Sequence, residues 1–304
     1  MSAYRFTVHS AAPALHTLIA GGHPRTGNVL GSSPTSAYLA FDDLVMAVTA
    51  RSVPSMPNGA TVIENGGLEA FEVGAVIRTS VEGLRAGRVE VTWNETVPVD
   101  LAVPLNENYH ARDVALRGRA VLDAMDHDDG PVAAISRARP GIIAREGLDA
   151  VQLLFTAFSE GRPEAAREAA RLLTGRGPGL TPDGDDLLAA VAAATHAFEG
   201  PVAIDPRAAR RLRAALLVDD LGNRTGALSA TLLRLAAEGQ VIDPVRSLLD
   251  LSVERVTWLR ALGRLERIGH STGGTYALGC ALAALALARS NRICQVNQRQ
   301  EEKP

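Results

Sequence analysis

The sequence predicts an α+β protein, with a β-rich N-terminal domain (barrel- or sandwich-like) followed by a mainly helical C-terminal domain. Two observations carry this. Period-two alternation of apolar and polar residues is concentrated in the first third, and after about residue 105 the apolar spacing becomes helical. In the first third, Arg88-Val-Glu-Val-Thr-Trp93 alternates, and Val97, Val99, Leu101 and Val103 continue at the same period. Apolar runs at 38–41 and 44–50 flank Asp42-Asp43 and read as a hairpin. Pro54, Pro57, Asn58-Gly59, Gly66-Gly67, Gly83 and Gly87 cut the region into the short strands of a barrel or sandwich.

The helical reading rests on punctuation as well as spacing. Residues 163–173 open on Pro163, carry Glu164 in the first turn and stop before Gly175. Residues 187–198 are Ala-rich and apolar nearly all round, which predicts a buried helix. Further helices are expected at 205–217, 225–238, 244–251, 253–268 and 271–288. The expected division is 1–105, 106–294 and a disordered polar tail at 295–304.

Composition excludes several classes of function. The apolar fraction of 46% and charged fraction of 21% fit a folded globular chain, and a net charge of −3 gives no case for nucleic acid. No apolar run reaches the roughly 18 residues of a membrane span. The N-terminus lacks the apolar core of a signal peptide, so a cytoplasmic location is expected. Cys280 and Cys294 are too few for a disulfide framework. The only lysine is Lys303. A P-loop needs a lysine at its phosphates and pyridoxal phosphate needs one for its Schiff base, so neither a P-loop nucleotide nor that cofactor is expected.

The segment Gly175-Arg-Gly-Pro-Gly-Leu-Thr-Pro-Asp-Gly-Asp-Asp186 is the strongest candidate site. It joins two helices. Gly177 and Gly179 let a ligand approach the backbone, Thr181 is the expected N-cap and Pro182 the expected first helical residue. The N–H groups of Gly177, Gly179, Leu180 and Thr181 would then face an anion at a helix N-terminus. Asp183, Asp185 and Asp186 would repel that anion. Either a divalent metal (Mg or Mn) bound by the three carboxylates bridges the two, or one aspartate is a general base and another orients it. The competing explanation is that the acids only complement the helix dipole.

Two further stretches are candidates. Ile268-Gly-His-Ser-Thr-Gly-Gly-Thr275 offers His270 as an acid–base group and Ser271, Thr272 and Gly273 as ligand contacts. Gly222-Asn-Arg-Thr-Gly-Ala-Leu-Ser229 places Thr225 and Ser229 on one helical face, with Arg224 as an anion contact. The stretch 24–31 could add backbone donors. His196 is expected to be a hydrogen-bonded core residue, and Asp126-His-Asp-Asp-Gly130 an exposed loop.

At these residues a resemblance enters. Gly177-Pro-Gly-Leu-Thr-Pro-Asp-Gly-Asp-Asp-Leu187 resembles the Gly-Pro-Gly-Leu-Thr-Pro-Ser-Gly-Asp-Asp hallmark of the AllH-type family, which includes a subunit of bacterial oxamate carbamoyltransferase. Thr225-Gly-Ala-Leu-Ser229 and Gly269-His-Ser-Thr-Gly273 fit the same pattern. Two positions depart from it: Asp183 replaces a serine, and Thr275 replaces an aspartate. The resemblance implies carbamoyl chemistry: oxalurate plus phosphate giving oxamate and carbamoyl phosphate, or the reverse. It further implies two other carbamoyltransferase subunits as partners; a homo-oligomer is the alternative assembly. Arg176 or Arg224 would neutralise the phosphate, and His270 would carry the proton. The alternatives are a non-catalytic assembly or carboxylate-binding subunit, and a stand-alone metal-dependent ureido amidohydrolase.

Overall fold

A computed structural model describes residues 4–15, 24–42, 44–93, 96–125, 145–200, 203–269 and 271–301. It divides into two compact units. One comprises residues up to Leu101 with Val241–Asp243, and the other Ala102–Gln240 with the remainder of the chain.

The first unit is a barrel, which settles the choice between barrel and sandwich. Its strands are β1 (Tyr4–Ala11), β2 (Thr26–Ser33), β3 (Ser36–Ala40), β4 (Val45–Thr49), β5 (Gly59–Val62), β6 (Val76–Thr79), β7 (Gly83–Ala86), β8 (Val89–Thr92) and β9 (Val97–Pro98). They pair in the order β5-β4-β3-β2-β6-β7-β8-β1, and β1 pairs back onto β5 to close an eight-stranded ring. The expected hairpin is β3–β4, in register from Ser36↔Thr49 to Ala40↔Val45. Alternation sorts the faces as expected. Val29, Ile77, Leu84, Val89 and Val91 point in and are buried, joining Phe6, Met46 and Phe71 in the core. The period-two run after Val97 does not continue as a strand. β9 stops at Pro98, since proline cannot donate to a ladder.

The second unit holds α1 (Ala111–Met125), α2 (Arg145–Glu160), α3 (Pro163–Leu173), α4 (Asp183–Ala197), α5 (Pro206–Leu216), α6 (Leu221–Arg224), α7 (Ala227–Ala237), all but the first residue of α8 (Asp243–Leu249), α9 (Arg255–Leu265) and α10 (Thr272–Glu301). At its centre α4 packs on α10, α7 and α5, while α10 also packs on α1 and α2. The Ala-rich surface of α4 explains this. Apart from His196 every residue of the helix is buried, and small side chains let neighbours approach from all sides. Gly279 of α10 marks a close approach to α4, because a Cβ there would lie 2.6 Å from the Ala190 methyl.

Two expectations need correction. Residues 295–301 were expected to be disordered, yet they continue α10 to Glu301. Polarity argues against burial, but Gln, Arg and Glu are good helix formers and prolong an existing helix. His196 was expected to be hydrogen bonded, but its Nδ1 is buried without a partner among the described residues. Burial first, then the nearby Arg213 guanidinium, lowers its pKa below the ordinary histidine value. The stretch 24–31 lies largely in β2 of the barrel, and 126–130 lies outside the described residues.

Candidate functional site

The site is built on the N-terminus of α4, where three chain segments meet. α3 ends at Leu173, and the Thr174 hydroxyl donates back to the Ala170 carbonyl at 2.7 Å. Gly175 then turns the chain at φ +74°, and a Cβ there would lie 2.1 Å from the Arg224 carbonyl oxygen. Only glycine permits that approach. The loop runs exposed through Leu180 before the chain dives into α4, whose first residues, Asp183, Asp185 and Asp186, are 3%, 2% and 2% exposed. The helix begins one residue later than expected. Pro182 occupies the N-cap position, and Thr181 pairs with the Thr272 hydroxyl at 3.1 Å instead of capping.

Each aspartate has different surroundings. The Asp185 carboxylate accepts from the Gly175 amide at 2.9 Å through Oδ1, and from the Thr225 hydroxyl through Oδ2. Burial raises its pKa, opposed by those two donors and by Ser229. The Asp183 Oδ1 accepts from the Ser271 hydroxyl at 2.6 Å and from the Thr275 hydroxyl at 3.5 Å. Asp186 differs: its Oδ2 is buried with no hydrogen-bond partner among the described residues. Burial, reinforced by the charges of Asp183 and Asp185, pushes its carboxyl up to about 8 against the pull of Thr272 and Thr181. Asp186 is therefore predominantly protonated at neutral pH, which resolves the repulsion expected among three adjacent acids.

The structure thus brings together most of the positions singled out from sequence. Ser229 comes from the first turn of α7 and donates to the Leu180 carbonyl at 3.4 Å, whereas Thr225 is the extended C-cap of α6 and precedes α7, so the two do not share the helical face expected of them. Ser271 and Thr272 come from the start of α10. The backbone N–H groups of Gly177, Gly179, Leu180 and Thr181 make no intramolecular hydrogen bond among the described residues, so they are open to a ligand. His270 lies outside the described residues, although Gly269 and Ser271 on either side of it are at the site.

Other candidates are otherwise engaged. The Arg224 guanidinium donates to Asp220 at 2.8 Å and to the Arg171 carbonyl at 3.2 Å, while Arg176 Nε donates to the Leu172 carbonyl at 3.1 Å. Gly273 is a packing position, since a Cβ there would lie 1.6 Å from the Leu265 carbonyl oxygen. The three aspartates do not fit a shared metal ligand set. Both oxygens of Asp185 are taken by donors, and no group of three His, Cys, Asp or Glu among the described residues is arranged to hold an ion.

Tyr276 was missed from sequence. Its hydroxyl is buried, and burial followed by the charge of Asp186 raises its pKa well above the ordinary tyrosine value. The usable signal was its spacing: Tyr276 is four residues beyond Thr272, hence on the same face of α10.

A closed barrel joined in sequence to a helical unit, with buried carboxylates under a glycine loop, defines a two-unit protein with a polar site at a helix N-terminus. Residues 173–284 match the family model described as oxamate carbamoyltransferase subunit AllH, so the resemblance read from the motifs holds across the segment that contains all of them. No curated protein and no solved structure matches the chain. Among the described residues no helix is long and apolar enough to cross a membrane.

Proposed function

We propose that this chain is a carbamoyl-transfer enzyme or enzyme subunit, acting on a small ureido carboxylate of the oxalurate type with phosphate, or on oxamate with carbamoyl phosphate. The observation that supports this reading most is the family match to residues 173–284, which spans the loop and both hydroxyl-bearing segments bonded to its aspartates. In the phosphorolytic direction a phosphate oxygen bonds to the carbamoyl carbon, and the bond from that carbon to the oxamate nitrogen breaks. The departing nitrogen takes a proton. The open N–H groups at 177 and 179–181 suit the oxyanion that develops on the carbamoyl oxygen, or a phosphate oxygen. Asp186, a buried acid with an uncommitted oxygen, is the proton donor best supported by geometry, and His270 is the second candidate. Asp185, doubly hydrogen bonded, holds Gly175 and Thr225 in place.

The test is production of carbamoyl phosphate from oxalurate and phosphate by the full chain, alone and with the other chains of its complex. Asp185→Asn should lower kcat by about 100-fold or more, as expected for lost preorganisation at a catalytic site, while the complex still assembles. Full turnover by that variant would overturn the site assignment. The non-catalytic reading has one observation in its favour: Asp183 and Asp185 are satisfied by protein donors, as structural staples are. Absence of turnover from a complete complex would favour it. Because the three aspartates do not fit a shared metal ligand set, turnover should survive chelation; its loss on chelation, with restoration by Mg or Mn, would overturn that expectation. Turnover of ureido acids by the chain alone would favour the amidohydrolase reading.

A further inference from the structure

Outside the acid cluster, α1 and α10 frame a groove of about 460 Å³. Its rim carries Arg112, Arg119 and Arg289, and its floor includes Leu116, Leu285 and Ala288. None of the three arginines has an ion pair or hydrogen bond among the described residues, whereas Arg85, Arg162, Arg167, Arg213 and Arg224 each hold a carboxylate. No acidic residue lines the groove. Leu116, between Arg112 and Arg119 on α1, is 57% exposed. Three like charges with no partner among the described residues, set around an apolar floor, favour an anionic occupant.

Helix geometry limits what that occupant can be. Arg112 and Arg119 are two turns apart, about 10 Å along α1. A single phosphate or carboxylate is too small to engage both and also cover Leu116. The adjoining groove on the other flank of α1 carries Asp113 and Asp123 against Arg117 and Arg255, so it adds no net positive charge that would hold an anionic bilayer across this face.

We infer that this groove docks a helical segment of another protein chain, with two carboxylates spaced two turns apart on either side of an apolar residue. The inference does not depend on the carbamoyl-transfer reading.

The test places a photoactivatable benzoylphenylalanine at position 116 of the full chain, expressed in the cells that naturally make it, and sequences the cross-linked peptide. The expected product is a single other protein, joined through a helix bearing Asp or Glu at i and i+7 around an apolar residue. Combining the probe with Arg112→Glu and Arg119→Glu should reduce the cross-link at least tenfold, and reversing the partner's two acids to arginine should restore it. Circular dichroism of the double variant checks that it is folded. Cross-links only to a second copy, to this chain's own residues or to lipid would overturn the inference. So would a cross-link indifferent to charge reversal, or none at all.

Discussion

Asp183 and Thr275, the two positions at which the resemblance led us to expect other residues, are in contact, with the Thr275 hydroxyl 3.5 Å from Asp183 Oδ1. The resemblance places serine and aspartate there in the opposite sense. Asp183→Ser alone removes the acceptor of the Ser271 hydroxyl and should cost about 1.5–3 kcal/mol. Thr275→Asp alone sets two carboxylates together and should also destabilise. The double variant should recover at least about 0.5 kcal/mol relative to the sum of the two, a coupling readable in a urea double-mutant cycle. Additive losses would show that the contact carries no energy.

Asp186 makes a second residue-scale prediction. Its folded-state pKa of about 8 lies above the ordinary value of 3.8. Between those values the native state holds a proton that the unfolded chain releases. The contribution of Asp186 to stability is thus fully present below pH 3.8 and lost as pH rises through about 8. Relative to Asp186→Asn, the wild-type melting temperature should fall across that window. Parallel profiles would mean that Asp186 is ionised in the folded protein.

At the scale of elements, the loop between α3 and α4 distinguishes two uses of glycine. Gly175 is held at positive φ against the Arg224 carbonyl, so Gly175→Ala must displace backbone and should cost well over 2 kcal/mol. Gly179 has φ +91°, yet nothing lies within 4 Å of where its Cβ would be. Gly179→Ala should therefore cost only the conformational penalty of about 1–2 kcal/mol, while shifting the open amides that follow it. Urea unfolding gives the first difference. Phosphate titration checks the second, with weaker binding expected for Gly179→Ala. The loop, its glycines and the helix after it were legible in sequence, because turn chemistry and capping are local. The one-residue offset at the helix start was not, because Thr181 is drawn off by Thr272, 91 positions away.

At the scale of the whole molecule, a ligand bound only by the folded state stabilises by mass action. Phosphate or carbamoyl phosphate at a hundredfold its Kd should add about 2.7 kcal/mol, read as a rise in melting temperature absent with chloride at equal ionic strength. No shift with either anion would count against the cradle at 177–181. The division into strands and then helices was legible because periods of 2 and 3.6 are written in neighbouring residues. Closure of the barrel was not, since the β1–β5 pairing joins Val8 to Val62 and no local pattern encodes that register.

The sequence by itself determined the division into strands and then helices, the glycine loop, the acids beneath it and the family likeness, since each depends on residues a few positions apart. The tertiary structure alone decided which hydroxyl answers which carboxylate. It also committed Arg224 elsewhere and left one oxygen of Asp186 without a partner among the described residues. These outcomes depend on burial and on contacts between remote segments, and both are set only when α4, α7 and α10 pack together.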